Sequence, residues 1–156
     1  MASDLSQIGI LARREVEARV IGPIIRAFTN QLGKEKTLEI VNQVIQSLAF
    51  ESGVLLAKQM GGNRIEDYAR GLDAWKAENA LEYDVLELTD DTFSFDVKRC
   101  RYVDLYRELG MADLGVLLSC NRDFHLIEGF NPRMKLVRTK TIMEGYDRCD
   151  FRIMLR

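Results

Sequence analysis

The feature that most constrains this chain is a change of hydrophobic period part-way along it. Up to about residue 60 the apolar side chains recur at three- and four-residue steps, as in Val16, Val20, Ile21, Ile24, Ile25, Phe28 and Leu32. That spacing gives an apolar stripe along a helix. From Leu81 onward they alternate instead: Leu81, Tyr83, Val85, then Phe93, Phe95, Val97 beyond Asp90-Asp91. Strict alternation is the signature of strands with one buried face. A chain helical in its first half and alternating in its second is expected to be α+β. N-terminal helices should pack on one face of a four-stranded antiparallel sheet.

The breakers place the elements. Pro23 should kink or divide the first helix. Gly33 should stop it. A second helix is expected over about Lys34 to Met60, with Leu38, Val41, Val44, Ile45, Leu48 and Leu55 inward, ended by Gly61-Gly62-Asn63. A third should run from about Ile65 to Asn79. A short helix near Tyr102 to Leu109 stops at Gly110, and an apolar stretch, Leu114 to Leu118, precedes Ser119-Cys120-Asn121-Arg122-Asp123. Gly129-Phe130-Asn131-Pro132 reads as a turn, followed by alternating runs Leu136 to Glu144 and Cys149 to Leu155. There is no internal repeat and no linker-like segment, so 1–156 reads as one domain.

Charge and composition narrow the function. With 22 Lys and Arg against 24 Asp and Glu, the formal net charge is -2. No nucleic-acid partner is expected, because phosphate binders carry a basic excess. No apolar run approaches the roughly 20 residues of a membrane helix, so no membrane is expected as a partner. The acidic start MASDLSQIGI does not resemble a secretory signal, which points to the cytoplasm and reduced thiols.

Strand phase puts Cys149, Phe151 and Ile153 on an inner face and Asp150 on the outer one. It puts Thr139 and Thr141 on one face and Arg138 on the other. Two hydroxyls and a thiol could line a polar pocket, or simply bond to backbone and pack. In Ser119–Asp123, a helical reading places Cys120 and Asp123 three apart on one face, suited to proton exchange. A metal reading would gather Cys100, Cys120 and Cys149 with Asp123 or water around zinc, although no Cys-x-x-Cys pair is present. His125, the single histidine, could form a Cys-His dyad but reads more simply as a packing or surface residue. Nucleotide-binding and serine-hydrolase motifs are absent.

Together these segments resemble a known family. Leu114-Gly115, Leu118 to Asp123, Glu128 to Pro132, Arg138 to Gly145 and Cys149 to Arg152 follow the pattern of the L-2-amino-thiazoline-4-carboxylic acid hydrolases, in order and spacing. Cys100-Arg101-Tyr102, Tyr106 and Leu109-Gly110 fit it too, as do Glu17-Ala18-Arg19 and Gly22-Pro23 more loosely. The resemblance implies hydrolytic opening of a small cyclic amidine at a carbon–nitrogen bond, with water adding to C2 of the ring. On that reading Cys149 or Cys120 is nucleophile or metal ligand, and Asp123 the general acid/base. Thr139, Thr141 and Asn121 contact substrate, and Arg122 pairs with its carboxylate. His125 departs from the family pattern, where a small apolar residue is expected. All three cysteines fall on motif positions, which keeps zinc as a possible cofactor. A homo-oligomer is a further expectation. The rival reading is a small-molecule sensor domain of the 4-vinyl reductase type, with cysteine-bound zinc and no catalysis.

Overall fold

The computed structural model describes residues 8–156. Two long antiparallel helices lead: α1, Ile10–Leu32, and α2, Lys34–Met60. Gly33 takes φ +85° between them, and Gly61 caps α2 in the left-handed region at φ +71°. Pro23 neither divides α1 nor ends it. Proline removes one backbone donor, but the flanking turns are held by the buried side of the helix, where Ala18, Gly22 and Ile25 pack.

The expected third helix is shorter. It breaks into α3, Ile65–Gly71, then α4, Asp73–Lys76, and a 3₁₀ turn at Ala77–Asn79, where Glu78 and Asn79 adopt positive φ. β1, Leu81–Leu88, and β2, Thr92–Cys100, form the expected hairpin. α5, Arg101–Glu108, and α6, Ala112–Gly115, follow, then a π turn over Val116–Cys120, and α7, Arg122–Phe130. β3, Met134–Val137, and β4, Cys149–Leu155, complete an antiparallel sheet in the order β1-β2-β4-β3.

One face of that sheet is the core. Phe93 pairs with Ile153, Phe95 with Phe151 and Val97 with Cys149, so six side chains stand in register beneath the helices. Ala49 and Leu56 of α2, Tyr68 of α3, and Leu126, Ile127 and Phe130 of α7 close over them. Cys149 therefore points inward, as strand phase requires. Val85 does not: it sits exposed on the edge strand β1.

α7 lies against α2 at backbone distance. A methyl built on Gly53 would stand 2.0 Å from the Leu126 carbonyl oxygen, and one on Gly129 would stand 2.1 Å from that of Phe50. Gly129 and Phe130 are thus helical rather than a turn, because glycine is what lets α7 continue alongside α2.

Two expectations fail in this frame. The apolar residues of α1 and α2 do not all face inward. Val16, Val20, Ile24, Phe28 and Leu32 are exposed, as are Val44, Leu48 and Leu55, while Thr37, Ile45, Ala49, Gly53 and Leu56 form the buried side of α2. Gly53 takes an inner position where α2 approaches α7 at backbone distance. α2 also contains an 18-residue stretch of mean hydropathy 1.3, enough by length and composition to cross a membrane, contrary to the reading of the sequence.

Candidate active site

The site is built where the π turn meets α7. Asn121 joins them, its N–H donating to Val116 O at 2.9 Å. A π turn displaces the carbonyls of the following residues from regular helix bonding. Here arginines take two of them: Arg122 Nε donates to Leu118 O at 2.8 Å and Arg138 to Cys120 O at 3.1 Å. Asp123 follows in the first turn of α7, where the helix dipole favours a carboxylate.

Arg138 is the inward arginine, contrary to the expected strand phase. Arg138 continues the alternation of β3 itself, in which Met134 and Leu136 are buried and Lys135 and Val137 exposed, so the expected phase was inverted. Asp150 holds the residues that follow. Its carboxylate accepts from the backbone N–H groups of Thr139 at 2.9 Å and Lys140 at 2.6 Å, and from the Thr139 hydroxyl at 2.6 Å. These bonds bend the chain off the sheet. Arg138 then ion-pairs with Asp123 and lies between the rings of Phe124 and Phe151, 5.0 Å and 5.2 Å from their centroids. Its side chain is only 4% exposed, against 31% for Asp123, so the carboxylate is the member of the pair that solvent reaches.

Burial pushes the Asp123 carboxyl above its ordinary range, against the opposing pull of Arg138, Arg14 and Arg122. Its charge is felt at Tyr68, Cys100, Tyr102, Cys120 and Cys149. The three cysteines and Asp123 thus lie near enough for its charge to act on each thiol. All three thiols are pushed up by burial, Cys100 to about 12, so they stand protonated at neutral pH. Reactive thiols need the opposite shift. Cys149 Sγ accepts from the Ile142 N–H at 3.3 Å.

Nor does the donor set fit zinc. Among the described residues no three His, Cys, Asp or Glu side chains gather as metal ligands. The cation that Cys120 and Cys149 face is Arg138. The threonines are committed locally as well. Thr139 bonds Asp150, and the buried Thr141 donates to Glu144 at 2.6 Å, accepting from the Glu144 N–H at 3.2 Å. His125 sits on the outer side of α7, 3.3 Å from Glu128.

Two groups not singled out for chemistry in the sequence belong to this region. The Tyr102 hydroxyl, in a residue 5% exposed, has no hydrogen-bond partner among the described residues, and lies in the fields of Arg14, Cys100 and Asp123. A polar cavity of about 290 Å³ is lined by Arg13, Arg14, Glu17, Glu51, Ser52 and Arg122. Glu17 bridges Arg14 and Arg122, the latter at 3.2 Å, and Arg13 Nε is buried without a partner among the described residues. Three guanidinium groups against two carboxylates leave the cavity cationic. Adjacent arginines one turn from Glu17 were the signal in the sequence.

The family model of the L-2-amino-thiazoline-4-carboxylic acid hydrolases matches residues 13–153. The chain belongs to that family. It spans the site from Arg13 to Phe151, so every group described above lies inside the matched segment. No curated protein matches the chain. Among solved structures, this hydrolase-family chain is similar to a trafficking protein particle complex subunit 3 from Naegleria fowleri, covalently bound to palmitic acid. Identity is 16%, coverage 92% of this chain and 95% of that one, and TM-score 0.57. It is also similar to the phenol-responsive sensory domain of the transcription activator PoxR, with phenol, at 13% identity, 94% and 76% coverage and TM-score 0.57. Likeness at these identities shows the shared fold alone.

Proposed function

We propose that this chain is a hydrolase that opens a small cyclic amidine, 2-amino-thiazoline-4-carboxylate or a related ring, at a carbon–nitrogen bond. Asp123 is its proton carrier and water its nucleophile. The observation that carries this reading is the Asp123 carboxyl itself: anchored by Arg138, open on one side, and made more basic by burial. An ionised carboxylate of raised pKa suits both taking a proton from water and returning it. It also complements the planar, cationic amidine of the ring.

The cationic cavity supplies the other half of recognition. A substrate carboxylate held by Arg122, Arg14 and Arg13 places the ring toward Asp123, whose charge Arg14 and Arg122 already sense. As water adds to C2, Asp123 takes its proton and C2 becomes tetrahedral. The proton passes to the ring nitrogen, the C2–N bond breaks with its electron pair on that nitrogen, and the added hydroxyl becomes the C2 carbonyl as it gives its remaining proton to Asp123. The Tyr102 hydroxyl donates to the oxygen that gains charge in the addition. The protonated thiols serve as neutral walls.

The test is turnover of L-2-amino-thiazoline-4-carboxylate by the purified protein, with amine and thiol released measured in parallel. One new amine per ring opened, and no thiol, is expected. Stoichiometric free thiol would show that the carbon–sulfur bond breaks instead, and no turnover of this ring or its analogues would remove the hydrolase reading.

A further inference from the structure

The outer side of the α1–α2 hairpin is apolar over its whole length. On α1, Val16, Val20, Ile24, Phe28 and Leu32 follow one another at four-residue steps, each between 43% and 64% exposed. On α2, Ile40, Val44, Leu48 and Leu55 continue the face, each between 46% and 54% exposed. Between the helices runs an apolar groove of about 480 Å³, floored by Tyr106 and Leu118. We infer that this face is the interface with a second copy of the same chain, which packs its own α1–α2 hairpin against it as a four-helix bundle.

Three observations select that occupant. The nine side chains, each about half exposed, offer roughly 800 Å² of mostly apolar surface, the share one partner buries in a standard stable interface. Rows at four-residue spacing are the ridges by which helices interlock, so the face can mesh with its own copy. The two helices carry both signs around it: Arg19 lies beside Glu15 at 2.6 Å on α1, and α2 carries Lys36 and Lys58 with Glu39 and Glu51. A surface of mixed sign does not repel its own copy, whereas docking on an anionic membrane calls for a basic excess. A ligand filling the groove would leave Val16 and Leu55 uncovered, since neither lines it. A helical hairpin covers both.

Leu48 and Leu55 also line the polar cavity, so the interface borders the proposed substrate site. The dimer does not rest on that reading, because its test uses no activity. Sedimentation equilibrium of the full chain at 1–100 μM is expected to give a dimer. Ile24→Glu and Val44→Glu, made separately on exposed positions, are expected to give monomers with unchanged far-ultraviolet circular dichroism. Val85→Glu on the exposed edge of β1 serves as the second variant and should leave the dimer intact. A monomeric wild type at 100 μM overturns the inference, whether or not it binds anionic vesicles or fatty acid. So does a dimer that survives Ile24→Glu and Val44→Glu together, or one that Val85→Glu dissolves.

Discussion

Gly53→Ala sets two effects of opposite sign against each other. In an isolated helix alanine is favoured over glycine by about 1 kcal/mol, so the substitution would stabilise α2 by itself. In the fold the new methyl would lie 2.0 Å from Leu126 O, 2.7 Å from Phe130 N and 2.9 Å from Leu126 C. Those are backbone atoms and cannot rotate away. Restoring an ordinary contact requires α2 and α7 to separate by roughly 1.4 Å, and gaps of that order forfeit a large part of the dispersion wells around Ala49, Leu126, Ile127 and Phe130. With overpacking costs of about 1–3 kcal/mol and the lost packing added, the gain in propensity is outweighed by about 2 kcal/mol. For a chain of this size that lowers Tm by about 4–8 °C. Thermal unfolding followed by circular dichroism measures it. Gly129→Ala, 2.1 Å from Phe50 O, should act alike, and the double variant should lose less than the sum because both methyls open one crossing. A Gly53→Ala protein with unchanged or higher Tm would show that the two helices are not in backbone contact.

Tyr102→Phe removes a buried hydroxyl that has no partner among the described residues, so stability should stay level or rise, while kcat/KM should fall about tenfold or more through the lost donor; unchanged kinetics would remove Tyr102 from the site. Asp67, 5% exposed at its side chain, accepts from the Arg64 N–H at 3.0 Å and from Arg70 at 2.8 Å, and the Arg64 backbone bond is the chief cause that holds its carboxyl below the usual range. A depressed folded pKa contributes stability above the unfolded value and loses it as pH falls through the folded one. Asp67→Asn should therefore cost about 1–2 kcal/mol at pH 7 and progressively less below about pH 4, read from urea midpoints at both pH values; an equal cost at both would refute the role of charge. The raised Asp123 carboxyl must be ionised to act, so the acid limb of kcat/KM should lie above the ordinary carboxylate value of about 4, and a limb below it would contradict the assignment.

Much of the fold could be read from local chemistry. Gly33 and Gly61 bound α2 at the expected residues, and the alternation of Phe93, Phe95 and Val97 placed β2 and its inner face. Local pattern failed where it left the inner face open or a distant group overrode it. Alternation alone does not say which face of β3 is inner: Met134 and Leu136 are buried rather than Val137, so Arg138 was put on the wrong side, and Thr139, captured by Asp150, in a pocket. The apolar residues of α1 and α2 fix the helices but not which side meets the core: Gly53 takes the close contact with α7, and Val44, Leu48 and Leu55 lie outside. Asp123 and Cys120 were legible as neighbours, but the state of the thiols depends on burial that no sequence spacing reveals.

The central claim is that a carboxylate, not a thiol, carries the proton chemistry, and the decisive measurement is kcat of Asp123→Asn beside Cys120→Ser and Cys149→Ser on the same ring substrate. Asparagine keeps the size of Asp123 and an acceptor for Arg138, so the fold should hold. Loss of a general base should lower kcat by about 10²–10⁴, while each serine variant should stay within about tenfold of the wild type. Asp123→Asn within tenfold of wild type, together with an inactive but folded Cys149→Ser or Cys120→Ser, would contradict the claim and return the chemistry to the thiol.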